Sequence, residues 1–187
     1  MRKFVIVCVT ALLYAVTMYA QDPASILNTL HNAPVRAMNA KMSEVRTFAD
    51  KTRPRQVLKG DFVWKSTADM SIMYANSESF VLEGDRMTVV RDGSTQVYDL
   101  SKNLMMKGLA SALRCSFEGR LDDLARDNDA EITAVKDGSD YVVTLTARKK
   151  SVRGLSLLIA HYSVSTCTLK SLRMDEFSGA STFYTLL

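Results

Sequence analysis

The sequence has few of the residues that interrupt helices and strands or that carry specialised chemistry. Its 187 residues include only three proline, eight glycine, three cysteine and two histidine residues. So little glycine, without a fixed repeat, excludes a collagen-like or repeat architecture. An apolar share of 47% is too high for a disordered chain. The length fits one globular domain around a single core, since domains usually contain about 100–200 residues.

Proline is confined to the first third of the chain, at positions 23, 34 and 54. Because proline cannot donate a hydrogen bond to a sheet ladder, it is excluded from central strands. Its absence after Pro54 is therefore typical of a long paired sheet.

Motifs for catalysis and metal binding are also missing. His31 and His161 lack a second ligand at a metal-site spacing. There is no nucleophile elbow, P-loop, dinucleotide fingerprint or paired-cysteine motif. We interpret Asp122 and Asp123 as acids that favour the dipole of a helix start. We therefore predict no enzyme, no catalytic residue, no metal and no cofactor; a hydrolase would need His161 to converge with a carboxylate and a nucleophile.

The first twenty residues are organised like a secretory signal peptide. Arg2 and Lys3 form a short positive region, and a largely apolar run from Phe4 to Ala15 follows. A run of about 12 residues is too short to cross a bilayer, which takes roughly 20. The alternative is a buried N-terminal helix. We predict cleavage near Ala20, which leaves residues 21–187 as a single soluble, exported domain.

Loss of Arg2 and Lys3 would lower the formal net charge from +4 to +2. The remaining charges are interspersed, and the densest basic groups, at 148–153 and 51–55, fit solvated loops and strand ends. Nucleic acid is excluded as a partner because it requires a continuous basic stripe. Cys115 and Cys167 remain, either as a disulfide of an oxidising compartment or as two buried free thiols.

Alternation of apolar and polar residues predicts a sheet in two parts. A short helix at 24–32 comes first and ends at Pro34. A meander follows from about residue 37 to 100, with Asp92-Gly93 as a hairpin turn. The later strands are predicted at 131–135, 141–147, 155–164, 169–177 and near 182–185.

Between the two parts the apolar residues recur at intervals of three and four. This spacing predicts an amphipathic helix with Ser101 as its N-cap, followed by a short helix at 121–126. The order helix, sheet, helices, sheet predicts one α+β domain. Several of the eight methionines outside the predicted signal peptide share strand faces with Phe and Trp. Since methionine is an adaptable gap-filler, these faces fit a filled core or an apolar cavity under the helix.

Four stretches, in this order and spacing, resemble the LolA-type periplasmic carriers of outer-membrane lipoproteins. They are 60–65 (GDFVWK), 70–74 (MSIMY), 80–87 (FVLEGDRM) and 172–182 (LRMDEFSGAST), and the resemblance extends over about residues 24–185. It implies an unclosed, strongly curved antiparallel half-barrel under a helical lid. Family members often have a Lys-Arg-Pro step whose arginine ties the lid to the sheet. This chain has Lys65-Ser66-Thr67, so that contact is absent or supplied elsewhere.

The resemblance also implies a site and a function. The sheet side of an apolar cavity would be lined by Phe62, Trp64, Met70, Ile72, Tyr74, Phe80, Leu82, Met87 and Val89. The lid would contribute Leu104, Met105, Leu109 and Leu113. The implied protein is a monomeric, cofactor-free periplasmic carrier. It would shield lipoprotein acyl chains, whose burial is worth about 0.8 kcal/mol per methylene.

Such a carrier would move lipoproteins from an inner-membrane release complex to an outer-membrane acceptor. Two alternatives stay open from the sequence. One is a carrier of another lipid, and the other is an envelope structural or interaction protein with a filled core.

Overall fold

The computed structural model describes residues 22–149 and 154–187. The predicted signal peptide, and part of the basic group at 148–153, lie outside these residues. The described helices are α1 (Pro23–His31), α2 (Leu104–Glu118) and α3 (Leu121–Asp127). The first group of strands is β1 (Met38–Thr47), β2 (Gln56–Trp64), β3 (Asp69–Tyr74), β4 (Ser79–Glu83), β5 (Arg86–Arg91) and β6 (Ser94–Asp99). The second group is β7 (Ala130–Asp137), β8 (Asp140–Ala147), β9 (Leu155–Ser163), β10 (Leu169–Glu176) and β11 (Ser181–Leu186).

These strands form one antiparallel sheet in the order β6-β5-β4-β3-β2-β1-β11-β10-β9-β8-β7. The two meanders join where β1 pairs with β11, in a register that runs from Met42↔Leu186 to Thr47↔Ser181. Strands β6 and β7 are the edges and do not pair with each other, so the sheet is unclosed. The predicted α+β half-barrel with a helical lid is confirmed.

The turns follow from local sequence. Asp92 and Gly93 both have positive φ, of 51° and 72°, as the predicted two-residue hairpin requires. Gly60, in the middle of β2, has a different role. A Cβ atom at this position would lie 2.4 Å from the carbonyl oxygen of Met73 on β3. Only glycine therefore lets β2 and β3 approach this closely.

Helix α2 begins two residues later than the sequence predicts. Its N-cap is Asn103, whose side chain accepts a hydrogen bond from the backbone N–H of Met106 at 3.0 Å. The prediction of Ser101 as N-cap is wrong because Ser101 belongs to the preceding turn, where its hydroxyl donates to Asp99. The helix ends at Gly119, whose φ of 68° is left-handed. A side chain there would also lie 2.6 Å from the carbonyl of Leu30 in α1.

Contacts along α2 hold it to both parts of the sheet. The guanidinium of Arg114 donates to the carbonyl of Gly84, in the turn between β4 and β5. Near the other end of the helix, the Tyr162 hydroxyl on β9 donates to the carbonyl of Ser116 at 2.6 Å. The helix therefore crosses the concave face of the sheet. Within the described ranges, no helix has the length and apolarity needed to cross a membrane.

Candidate ligand-binding cavity

A cavity of about 620 Å³ lies on the concave face, at the end of the sheet where β1, β3, β5 and β10 finish. Its volume falls within the range of about 300–1,000 Å³ that ligand pockets occupy. Helix α2 contributes Met106 and Leu109 to the lining. The other apolar lining residues are Phe48, Phe80, Val89, Val90, Leu155, Met174 and Ala180.

Strand register explains why these sheet residues meet. Phe80 and Val89 are direct partners on β4 and β5, so their side chains point to the same face of the sheet. Tyr74 lies two strand positions from Ile72, the partner of Phe80, and therefore also faces the concave side. Of the nine sheet residues predicted for the cavity, Tyr74, Phe80 and Val89 line it.

The other six predicted residues lie at the opposite end of the same face. Phe62, Trp64, Met70, Ile72, Leu82 and Met87 are each no more than 3% exposed. The ring of Phe117 on α2 stacks on Phe62 at 4.4 Å and on Trp64 at 5.3 Å between centroids. We call these six residues and Phe117 the filled half, and the cavity with its lining the hollow half. The role of the six as ligand contacts stays a prediction.

The lid residues divide in a similar way. Leu109 lines the cavity and Leu113 is buried in the core. Leu104 and Met105 are 81% and 53% exposed, at the start of α2. Sequence reasoning missed Met106, which lines the cavity beside Leu109. The spacing of Met106, Leu109 and Leu113, at i, i+3 and i+7, is the signal that could have found it.

A buried ionic network forms the polar wall of the cavity. Arg46 on β1 donates from Nε to Glu44, from Nη2 to Oε2 of Glu44 at 3.4 Å, and from Nη1 to Oε2 of Glu78 at 2.6 Å. The Tyr74 hydroxyl donates to Glu44, and the Arg46 guanidinium lies 5.2 Å from the centroid of the Tyr74 ring. Arg91 Nε approaches Glu78 Oε2 at 3.8 Å. Glu44, Arg46 and Glu78 are all buried.

No pattern in the sequence indicates this network. Glu44 and Arg46 look like ordinary polar positions of a strand with imperfect alternation, and Glu78 belongs to a turn. Their shared location depends on β3 and β4 lying near β1 across the curved sheet. No local spacing encodes that arrangement.

Burial and charge act together on this wall. Burial alone would lower the pKa of Arg46, but Glu44 and then Glu78 outweigh it and hold that pKa above its usual range. Burial would raise the pKa of the Glu78 carboxyl, yet Arg46, Asn76 and Arg91 together lower it. Burial, and then the neighbouring Tyr184 and Glu44, raise the pKa of Tyr74, so its hydroxyl remains a donor.

Tyr184 on β11 completes the polar wall. It is the direct cross-strand partner of Glu44 and lines the cavity. Burial, followed by the charge of Glu44, raises the pKa of the Tyr184 hydroxyl well above its usual range. Its hydroxyl therefore stays protonated at neutral pH.

The arrangement around Asp122 and Asp123 fits their interpretation as first-turn acids of α3. Ligand atoms of His31, Asp122 and Asp123 lie within 4.8 Å of one another. Asp123, however, accepts from Arg120 Nε at 2.7 Å and from the guanidinium of Arg126. Two arginines therefore already compensate its charge, without an ion.

Three other sequence expectations have structural outcomes. His161 lies 3.9 Å from Asp140 and is not among the residues that line the cavity. Cys115 and Cys167 are free thiols. The missing Lys-Arg-Pro contact between lid and sheet has a counterpart in the bond from Arg114 on α2 to Gly84.

No family model matches the sequence, and no curated protein matches it. Among solved structures, a LolA superfamily protein from Nitrosomonas europaea is 12% identical over 88% of this chain and 91% of its own, with a TM-score of 0.38. The lipoprotein LppX of Mycobacterium tuberculosis is 12% identical over 87% of this chain and 89% of its own, with a TM-score of 0.38. The Pseudomonas aeruginosa MucA/MucB complex contains a chain that is 13% identical over 88% of this chain and 55% of its own, with a TM-score of 0.46.

Proposed function

We propose that this protein carries lipid or the acyl chains of lipoproteins in the hollow half of its half-barrel. The observation that supports the proposal is the cavity of about 620 Å³ between the concave face and α2. Its apolar side, with Met106, Leu109, Phe80 and Val89, suits hydrocarbon. Each methylene moved there from water is stabilised by about 0.8 kcal/mol.

The proposal extends to place and partners. The carrier acts in the periplasm after removal of a signal peptide near Ala20. It takes lipoproteins from an inner-membrane complex and delivers them to an outer-membrane acceptor. The polar wall also suits this role, since a cavity with charged and hydroxyl groups can hold water while no ligand is bound.

Native mass spectrometry of the exported protein, purified without detergent, tests the proposal. We expect a fraction of the molecules to carry a lipid or an acylated peptide that organic solvent releases. A protein that captures neither, even after incubation with membrane extract, would contradict carriage and favour the envelope interaction protein with a filled core.

A pair of identical substitutions makes this test specific to the cavity. Val89→Trp places an indole in the cavity, whereas Val57→Trp places one at a position that is 58% exposed on β2. We expect Val89→Trp to lose captured lipid and Val57→Trp to retain it, with both variants folded by circular dichroism. Equal retention by the two variants would exclude this cavity as the binding site.

A further inference from the structure

The hydrogen-bonding groups of the polar wall indicate which part of a lipid this cavity recognises. We propose that the hollow half binds an uncharged carbonyl, of an ester or an amide, through the Tyr184 hydroxyl and the Arg46 guanidinium. The attached hydrocarbon then lies towards Met106 and Leu109. This inference rests on the proposed function and adds the chemistry of the ligand's polar end.

Some hydrogen-bond donors of the polar wall lack an acceptor. The hydroxyls of Tyr74, Tyr98 and Tyr162 each donate to an acceptor. By contrast, the Tyr184 hydroxyl has no hydrogen-bond partner in the described part of the chain, although it lines the cavity. A guanidinium carries five N–H groups, and the network uses three of those on Arg46. The Tyr184 hydroxyl and two N–H groups of Arg46 therefore have no acceptor among the described residues.

The carboxylates of the network, by contrast, already accept hydrogen bonds from protein donors. Glu44 accepts from both Arg46 and Tyr74. Glu78 accepts from Arg46 at one oxygen and from Asn76, at 3.0 Å, at the other. Arg91 lies close to the first of these oxygens. Within the network, a ligand that brings an acceptor therefore meets the unengaged donors of Tyr184 and Arg46, whereas Glu44 and Glu78 already accept from protein donors.

The charge of the cavity lining also favours an uncharged ligand. Four carboxylates line the cavity, those of Glu44, Glu78, Asp92 and Glu176, against the two guanidinium groups of Arg46 and Arg91. A free carboxylate or phosphate would meet this excess of like charge, of which Glu44 and Glu78 are buried and Asp92 and Glu176 are exposed. An ammonium group would be attracted, but it cannot accept from Tyr184 or Arg46. An ester or amide carbonyl meets neither difficulty.

The two donors lie close together on the sheet side of the cavity. Glu44 and Tyr184 are directly paired on β1 and β11, which sets their Cβ atoms about 4.5–5.5 Å apart. Arg46 lies two residues further along β1, on the same face. Met106 and Leu109 contribute the apolar side from α2. A carbonyl at the sheet and a chain towards the helix therefore satisfy both sides of the cavity.

Three ligands with one chain length test the inference: lauroyl glycerol, laurate and laurylammonium. Each competes with the uncharged fluorescent probe N-phenyl-naphthylamine for the delipidated full-length exported protein. We expect lauroyl glycerol to displace the probe at a concentration about tenfold lower than either charged ligand, because laurate meets like charge and laurylammonium cannot accept from Tyr184 or Arg46.

Tyr184→Phe removes only the proposed donor. We expect it to weaken lauroyl glycerol about fivefold, with the affinities of the probe and of laurylammonium unchanged. Tyr98→Phe is the matched control, because Tyr98 lines the same cavity but already donates its hydroxyl to Gln96. It should leave the preference intact.

The outcomes distinguish failure of the carbonyl inference from failure of the proposed function. Laurate or laurylammonium binding as tightly as lauroyl glycerol would overturn the carbonyl inference and leave carriage standing. Equal effects of Tyr184→Phe and Tyr98→Phe would also overturn it. Displacement by none of the three ligands, together with no lipid on the purified protein, would overturn the proposed function as well.

Discussion

The two halves of the concave face share strands β3, β4 and β5 but differ in what occupies the space above them. In the filled half, Phe117 of α2 stacks on Phe62 and Trp64 and leaves no room beside them. In the hollow half, Phe80 and Val89 face a cavity whose helical side is formed by Met106 and Leu109. The ring of Phe117 thus fills the space above the sheet in only one of the two halves.

The halves also differ in polarity. The predicted residues of the filled half are apolar, whereas the hollow half contains the network of Glu44, Arg46 and Glu78. Charges that are paired and hydrogen-bonded can stay buried. Covering them with hydrocarbon nevertheless costs free energy that covering an apolar surface does not. The comparison teaches that one alternating sheet can supply rigidity at one end and a binding space at the other.

Removal of the central charge of the hollow half should have the largest effect. Arg46→Met leaves Glu44 and Glu78 buried without their main partner. We expect a loss of about 3–5 kcal/mol in the free energy of unfolding, measured by chemical denaturation. The triple variant with Glu44→Gln and Glu78→Gln should recover part of this loss. A change below about 1 kcal/mol for Arg46→Met alone, the range of exposed ion pairs, would mean that the network is solvated.

Truncation of a side chain in the filled half should lower the free energy of unfolding somewhat less than loss of Arg46 does. It should lower it more than truncation in the hollow half. Phe117→Ala removes the ring that stacks on Phe62 and Trp64, and we expect a loss of about 3 kcal/mol in the free energy of unfolding. Leu109→Ala, beside the cavity, should cost only about 1 kcal/mol because its side chain already borders unfilled space. Equal losses would contradict the distinction between the halves.

A smaller effect is expected where the sheet itself is tightest. In Gly60→Ala, the added methyl meets the Met73 carbonyl at 2.4 Å, and we expect a loss of about 2 kcal/mol. Gly108→Ala on α2 is the control, since nothing lies within 4 Å of its added methyl. That change should stabilise the protein by about 0.8 kcal/mol through helix propensity. In thermal unfolding, we expect the melting temperature to fall for Gly60→Ala and to rise for Gly108→Ala.

The smallest predicted effect is a dependence on pH that belongs to the hollow half. Because the folded state lowers the pKa of Glu78, its contribution to stability is complete above the unfolded value of about 4.3 and is lost as the pH falls further. Denaturation curves from about pH 6 to pH 3 should therefore show a shallower decline for Glu78→Gln than for the original protein.

Asp140→Asn provides the comparison for this measurement. The pKa of Asp140 is also lowered, mainly by Lys170, but that pair is partly exposed at the surface. Salt should weaken the contribution of Asp140 and affect that of Glu78 much less. An equal salt response at the two sites would show that the polar wall is open to solvent.

Much of the fold could be predicted from local patterns. Alternation by twos marked the strands, the change to intervals of three and four marked α2, and Asp92-Gly93 marked a turn, because each signal depends on neighbours in sequence. The cap of α2 was misplaced by two residues, since Ser101 and Asn103 are both good capping residues. Asn103 is the cap because the hydroxyl of Ser101 is already engaged with Asp99 in the preceding turn.

The candidate site was predictable only in part, for a related reason. Alternation places Phe62, Phe80 and Val89 on one face of the sheet, but it cannot say which of them lies under a helical side chain. The answer depends on where α2 crosses the sheet, and the contacts of Arg114, Phe117 and Ser116 fix that crossing. The sequence by itself thus determined the strands, their faces and an apolar helix, since these follow from the geometry of a short chain segment. Tertiary structure alone decided which half is filled and brought Glu44, Arg46 and Glu78 together, because those contacts join residues that only the curved sheet makes neighbours.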